Sequence, residues 1–183
     1  EEQEKAVRKI TEAKGRVQVV VGKAGAGKTT MLEAAKEVWK AEGYEVRGAA
    51  LAGIAARGLQ ESAGIESATI YETVKKLQSG DLKLDNKTVL VVDEAAMVST
   101  KDLHTLVKAT EQSGSKLVLV GDHRQLQSIE AGGVFHALVK NEGAAELRQN
   151  FRQSEDWQKL ATEYFSNGQA KEGLSEYARR GFV

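Results

Sequence analysis

Runs of consecutive apolar residues alternate along this chain with stretches whose apolar positions recur every three to four residues. Val17 to Val21, Tyr44 to Leu51, Thr88 to Val92, Lys116 to Val120 and Ala144 to Leu147 carry the first pattern and predict five strands. The second pattern starts at Glu2 to Lys14, where Ala6, Val7 and Ile10 share one face. It returns at Met31 to Ala41, Ile54 to Ser62, Ile70 to Gln78, Thr100 to Gln112 and Gly133 to Asn141, and closes the chain at Glu155 to Asn167 and Gln169 to Arg179. A Gly/Ser-containing turn, Gly64 to Ser67, separates the third and fourth helices. Strands this apolar, alternating with helices, predict a parallel sheet buried on both faces. No repeat, low-complexity tract or linker breaks the series, so residues 1–183 read as a single domain.

The chemistry sits where strands hand over to helices. After the first strand comes Gly22-Lys23-Ala24-Gly25-Ala26-Gly27-Lys28-Thr29-Thr30, a loop that opens a helix. Its glycines let the backbone turn so that successive N–H groups converge on a polyphosphate, and the helix N-terminus adds positive dipole. Lys28 matches the lysine that reaches the β- and γ-phosphates of ATP, and Thr29 supplies a hydroxyl for the accompanying magnesium. A plain turn between strand and helix calls for neither residue.

Two more strands end in polar groups. Val89-Leu90-Val91-Val92 runs into Asp93-Glu94, at the C-terminal edge where open parallel sheets bind their ligands. In that position Asp93 is a magnesium ligand, directly or through water, and Glu94 a general base for the attacking water. Leu117-Val118-Leu119-Val120 runs into Gly121-Asp122-His123-Arg124-Gln125-Leu126. His104, His123 and His136 have no metal-ligand spacing, and Trp39 and Trp157 lie on helical stretches where packing is the default role.

Composition narrows the field without choosing within it. A hydrophobic content of 41% supports a real core, while a formal net charge of zero offers no overall attraction for nucleic acid. There is no cysteine, so disulfides and thiolate metal sites are excluded, and no apolar run reaches membrane-spanning length. The expected setting is the cytoplasm, with no membrane partner. Proline is also absent, where average usage predicts about nine. With a first residue other than methionine, this points to a fragment, a processed chain or an engineered one.

Asp-Glu-Ala-Ala-Met-Val at 93 to 98, Gly-Asp-x-x-Gln-Leu at 121 to 126 and Asn150-Phe151-Arg152-Gln153, in this order after the phosphate loop, resemble the motifs of superfamily-one DNA helicases. The likeness is strongest to the RecD-like motor of conjugative relaxases of the TraA/MobA type, and it covers almost the whole chain. It implies a three-layer α/β/α phosphate-loop NTPase fold of the RecA-like type, with a mainly parallel sheet of about five strands. It further implies that Gln125 senses the γ-phosphate and couples it to DNA, that Arg152 reaches the γ-phosphate, and that Gln3 reads adenine. The implied partners are ATP or ADP with magnesium, single-stranded DNA, and a second RecA-like domain expected to be missing from this chain, so that DNA binding and turnover in isolation should be weak. Ile54 and Ser128 depart from the pattern, standing where relatives usually carry lysine and proline. A nucleotide-binding module with little turnover and a small phosphate-loop kinase are the other readings; Gln125 and Arg152 argue against the kinase.

Overall fold

Every pairing in the sheet is parallel. A computed structural model describes residues 1–23, 25–122, 133–147 and 155–182. Six strands lie in the order β3-β2-β4-β5-β1-β6: β1 (Val17–Gly22), β2 (Glu45–Ala50), β3 (Glu66–Thr69), β4 (Thr88–Val92), β5 (Lys116–Gly121) and β6 (Ala145–Leu147). The helices between them are α1 (Glu2–Glu12), α2 (Lys28–Ala41), α3 (Gly53–Ala63), α4 (Ile70–Ser79), α5 (Thr100–Ser113) and α6 (Gly133–Glu142).

The central strands are apolar on both faces because both are covered, as parallel crossovers require. Val20, Val89, Val91, Val118 and Val120 face one core, with Ala6 and Ile10 of α1, Met31, Leu32 and Trp39 of α2, and Leu59 and Ala63 of α3. Their neighbours Val19, Leu90, Val92, Leu117 and Leu119 face the other, with Ile70 and Val74 of α4, Leu103 and Leu106 of α5, and Phe135 of α6. These are the three layers that the resemblance implies, with six strands in place of about five.

The sixth is β3, in the segment where the sequence pattern predicts a turn. Glu66-Ser67-Ala68-Thr69 has no apolar run, and it is a strand because β2 offers it a ladder, from Arg47 opposite Glu66 to Ala50 opposite Thr69. Gly48 makes the approach possible. A β-carbon there would overlap the Ser67 hydroxyl and lie 3.0 Å from both Ser67 Cβ and Leu59 Cδ2.

At the N-terminal end of the interior strand β5, Lys116 holds the end of α1. Its Nζ donates to the carbonyls of Ile10, Thr11 and Ala13 at 3.4, 3.2 and 3.3 Å, where the helix has carbonyls without internal partners. Burial lowers the Lys116 ammonium below the usual lysine range.

The described residues fall into two compact units, Glu1–Arg148 and Gln149–Val183. In the second, α7 (Asp156–Ser166) and α8 (Ala170–Ala178) form a hairpin. Its helices meet closely at Gly173, where a β-carbon would come within 2.7 Å of the Phe165 ring. Trp157 packs edge-on to Tyr177 at 5.1 Å, lies against Phe182 at 5.7 Å and receives the Arg180 guanidinium over its ring at 4.5 Å. Among the described residues no helix is long and apolar enough to cross a membrane.

Candidate functional site

The site is built at the C-terminal edge of three neighbouring strands. In the order β4-β5-β1, the phosphate loop leaves β1, Asp93 and Glu94 leave β4, and β5 ends between them at Gly121 and Asp122. Two strand spacings, about 10 Å, therefore separate the loop from the acids, a gap that a nucleotide's phosphates and their cation can fill.

Glycine shapes the loop where the backbone demands it. Gly25 and Gly27 have φ of 82° and 74°, the left-handed region open to residues without a β-carbon. Gly27 is the N-cap of α2, so the helix starts at Lys28, three residues before the apolar periodicity predicts. Lys28 Nζ donates to the carbonyls of Gly22 at 2.7 Å and Lys23 at 3.0 Å, which holds the ammonium inside its own loop. At Gly22 a β-carbon would stand 3.1 Å from Leu147 Cβ and 3.3 Å from Lys28 Cγ. Its absence lets the lysine stem lie against the strand end.

The acids are held by their backbone. Asp93 N–H donates to the Ala49 carbonyl at 2.9 Å, extending the β2–β4 ladder by one residue, and Glu94 N–H donates to Asp93 Oδ1 at 2.9 Å. Glu94 has φ of 54°, the one positive value among the described residues other than glycine. This left-handed residue turns the chain out of β4 into the short 3₁₀ turn Ala95–Met97, whose Met97 N–H donates back to the Glu94 carbonyl at 2.9 Å. Ala95 and Ala96 are buried. Ala96 packs on the end of β5, where a β-carbon on Gly121 would lie 3.1 Å from both Ala96 N and Phe135 Cζ. The place of Glu94 is thus set by two packed neighbours, a constraint no local motif shows.

Gln3, on the first turn of α1, lies against the loop: its Nε2 donates to the Gly27 carbonyl at 3.2 Å. The structure therefore brings together Gln3, Gly22, Lys23, Gly25 to Thr30, Asp93 and Glu94 on one edge. Ala24, Gln125 and Arg152 lie outside the described residues. Among the described residues no group of three or more His, Asp or Glu side chains forms a cation site. Thr29 and Asp93 offer two hard oxygen ligands, the small number suited to a magnesium ion that keeps waters and phosphate oxygens.

An AAA domain family model matches residues 1–183. The conjugal transfer protein TraA of Agrobacterium fabrum is 47% identical over 176 residues, 96% of this chain and 16% of that protein. The ATP-dependent RecD2 DNA helicase of Deinococcus radiodurans is 30% identical over 143 residues, 76% of this chain and 20% of that protein. Among solved structures, the Pif1 protein of a Bacteroides species in complex with ADP-AlF4 superposes with a TM-score of 0.58 at 25% identity, covering 94% of this chain and 47% of that one. The chain thus spans only a small part of the curated relatives it matches. Its full-length family match and its phosphate loop facing a strand-end acid pair lead to one assignment: the chain belongs to the AAA domain family, as an N-terminal RecA-like domain of the RecD-like superfamily-one type.

Proposed function

We propose that this domain binds Mg-ATP and hydrolyses it as the motor element of a DNA helicase, the hydrolysis being coupled in the longer proteins to movement along single-stranded DNA. The observation that carries this reading is Lys28 at the start of α2, set across the end of β5 from Asp93 and Glu94. Lys23, Gly25 and Gly27 present N–H groups to the phosphates, and Lys28 leaves its two loop carbonyls to neutralise them. Thr29 and Asp93 would hold magnesium, which would supply charge neutralisation on the transferring phosphoryl group. Glu94 takes a proton from the attacking water, Gln125 positions that water, and Arg152 stabilises charge on the γ-phosphate. Gln3 faces the adenine.

A second RecA-like domain belongs to this reading. An arginine contributed across a cleft of this kind is worth roughly 10³ to 10⁵ in rate in other phosphate-loop enzymes, so the present chain by itself should turn ATP over slowly. The test is phosphate release from Mg-ATP, with and without single-stranded DNA, by this chain and by a longer protein that includes the second domain. Slow release by the chain and DNA-stimulated release by the longer protein support the reading; release by neither, or robust strand displacement by the chain alone, refutes it.

A further inference from the structure

The contact between Gln3 and the phosphate loop reaches further than recognition of a base. We propose that Gln3 is a positioning residue for the loop itself, acting on any polyphosphate bound there whether or not it carries adenine; this rests on the nucleotide-site reading above. The argument begins with the peptide plane between Gly27 and Lys28. A trans peptide is rigid, and its C=O and N–H point in opposite directions. The Gly27 carbonyl accepts from Met31 N–H at 3.1 Å, the first helical bond of α2, and from Gln3 Nε2 at 3.2 Å. Two donors on the carbonyl fix its direction, and with it the direction of Lys28 N–H, which points away from them into the loop.

Gly27 needs that restraint more than most residues. With φ of 74° and ψ of 27° it sits in the left-handed region, and glycine moves between backbone wells at little steric cost. An unrestrained peptide here would spread Lys28 N–H over several directions and dilute the state able to bind phosphate. The restraint is well founded, because α1 is itself held along its middle and at its C-terminus. Ala6 and Ile10 are buried in the core beside Met31, Leu32 and Trp39, and Lys116 grips the carbonyls at its C-terminus. Gln3 is also the right chemistry for the task. Only its amide NH₂ can donate to a carbonyl, whereas a carboxylate in the same place would set oxygen against oxygen.

The experiment is calorimetric titration of the 183-residue chain with Mg-ATP, Mg-GTP and inorganic tripolyphosphate with magnesium, for wild type, Gln3→Ala, Gln3→Glu and Lys28→Ala, with thermal melting to verify that each variant folds. Loss of one neutral hydrogen bond predicts that Gln3→Ala weakens all three ligands by a common factor of about 3 to 10, and that Gln3→Glu weakens them further. Weakened ATP with unchanged tripolyphosphate would show that Gln3 acts on the base alone and overturns the proposal, as would wild-type affinity in Gln3→Glu. Failure of the wild type to bind any of the three, or affinity unaltered by Lys28→Ala, overturns the nucleotide-site reading and this proposal with it.

Discussion

Glu94 stores backbone strain at the point where the proposed chemistry takes place, and replacing it with glycine should make the protein more stable while destroying its activity. A left-handed conformation costs an L-residue roughly 1–2 kcal/mol, and glycine escapes that cost. Glycine also brings a looser unfolded chain, which returns about 0.5–1 kcal/mol to the unfolded side. With φ of 54° at Glu94, the difference is a net gain with a midpoint of about 0.75 kcal/mol for Glu94→Gly. For a chain of this length that is a rise in Tm of about 1–4 °C. Glu94→Ala is the decisive control, since it removes the same carboxylate yet keeps a β-carbon and its left-handed cost. The assay is thermal and urea denaturation of all three proteins without nucleotide, alongside phosphate release from Mg-ATP by the longer protein. Both variants should lose hydrolysis, and only the glycine variant should gain stability. If Glu94→Gly melted at or below Glu94→Ala, the strain at this residue would not exist and the reasoning would fail.

Glu94→Gln should retain Mg-ATP affinity and lower hydrolysis by about 10²-fold or more, whereas Asp93→Asn should raise the magnesium concentration needed for binding; identical behaviour in the two titrations would void this division of roles. Gly121→Ala forces a methyl against Ala96 N and the Phe135 ring, so it should cost about 1–3 kcal/mol in urea denaturation and displace the turn that carries Glu94, depressing turnover more than nucleotide affinity. Lys116 gives a signed pH dependence. Its folded pKa is lowered, so between that value and the usual 10.5 the unfolded chain binds more protons than the folded one, and the contribution of this group to stability rises with pH across that window. Urea melts at several alkaline pH values should show a steeper rise for the wild type than for Lys116→Met, and equal slopes would contradict the burial argument.

The strands that form the floor of the site were legible because they are buried on both faces and so apolar throughout: β4 occupies the predicted Thr88–Val92, and β1 and β5 extend their predictions by one glycine each. β3 was not legible, because what makes Glu66–Thr69 a strand is the ladder of β2 and the space left by Gly48, both distant in sequence from the turn signals at Gly64 and Ser67. The site divides along the same line. Residue type and order mark Lys28, Thr29, Asp93 and Glu94 as candidates, since the proposed phosphate and magnesium chemistry calls for those groups. The left-handed turn at Glu94, the β5 packing that positions it and the bond from Gln3 to the Gly27 carbonyl arise from contacts between elements, for which a linear pattern carries no signal.

The insertion of β5 between β1 and β4 also dictates when the site can exist. β1 pairs with β5 across about a hundred intervening residues, Val17 opposite Leu117, and β4 reaches β1 only through that strand. Closing so long a loop is entropically costly, and parallel pairings of high sequence separation form late. During synthesis the phosphate loop emerges about a hundred residues ahead of β5 and stays half a site until residues 116–121 have left the ribosome and slotted between its two halves. Acquisition of nucleotide affinity by a nascent or refolding chain would therefore report completion of the sheet's centre, and ATP in the surrounding solution would stabilise the finished domain by mass action while leaving earlier intermediates untouched.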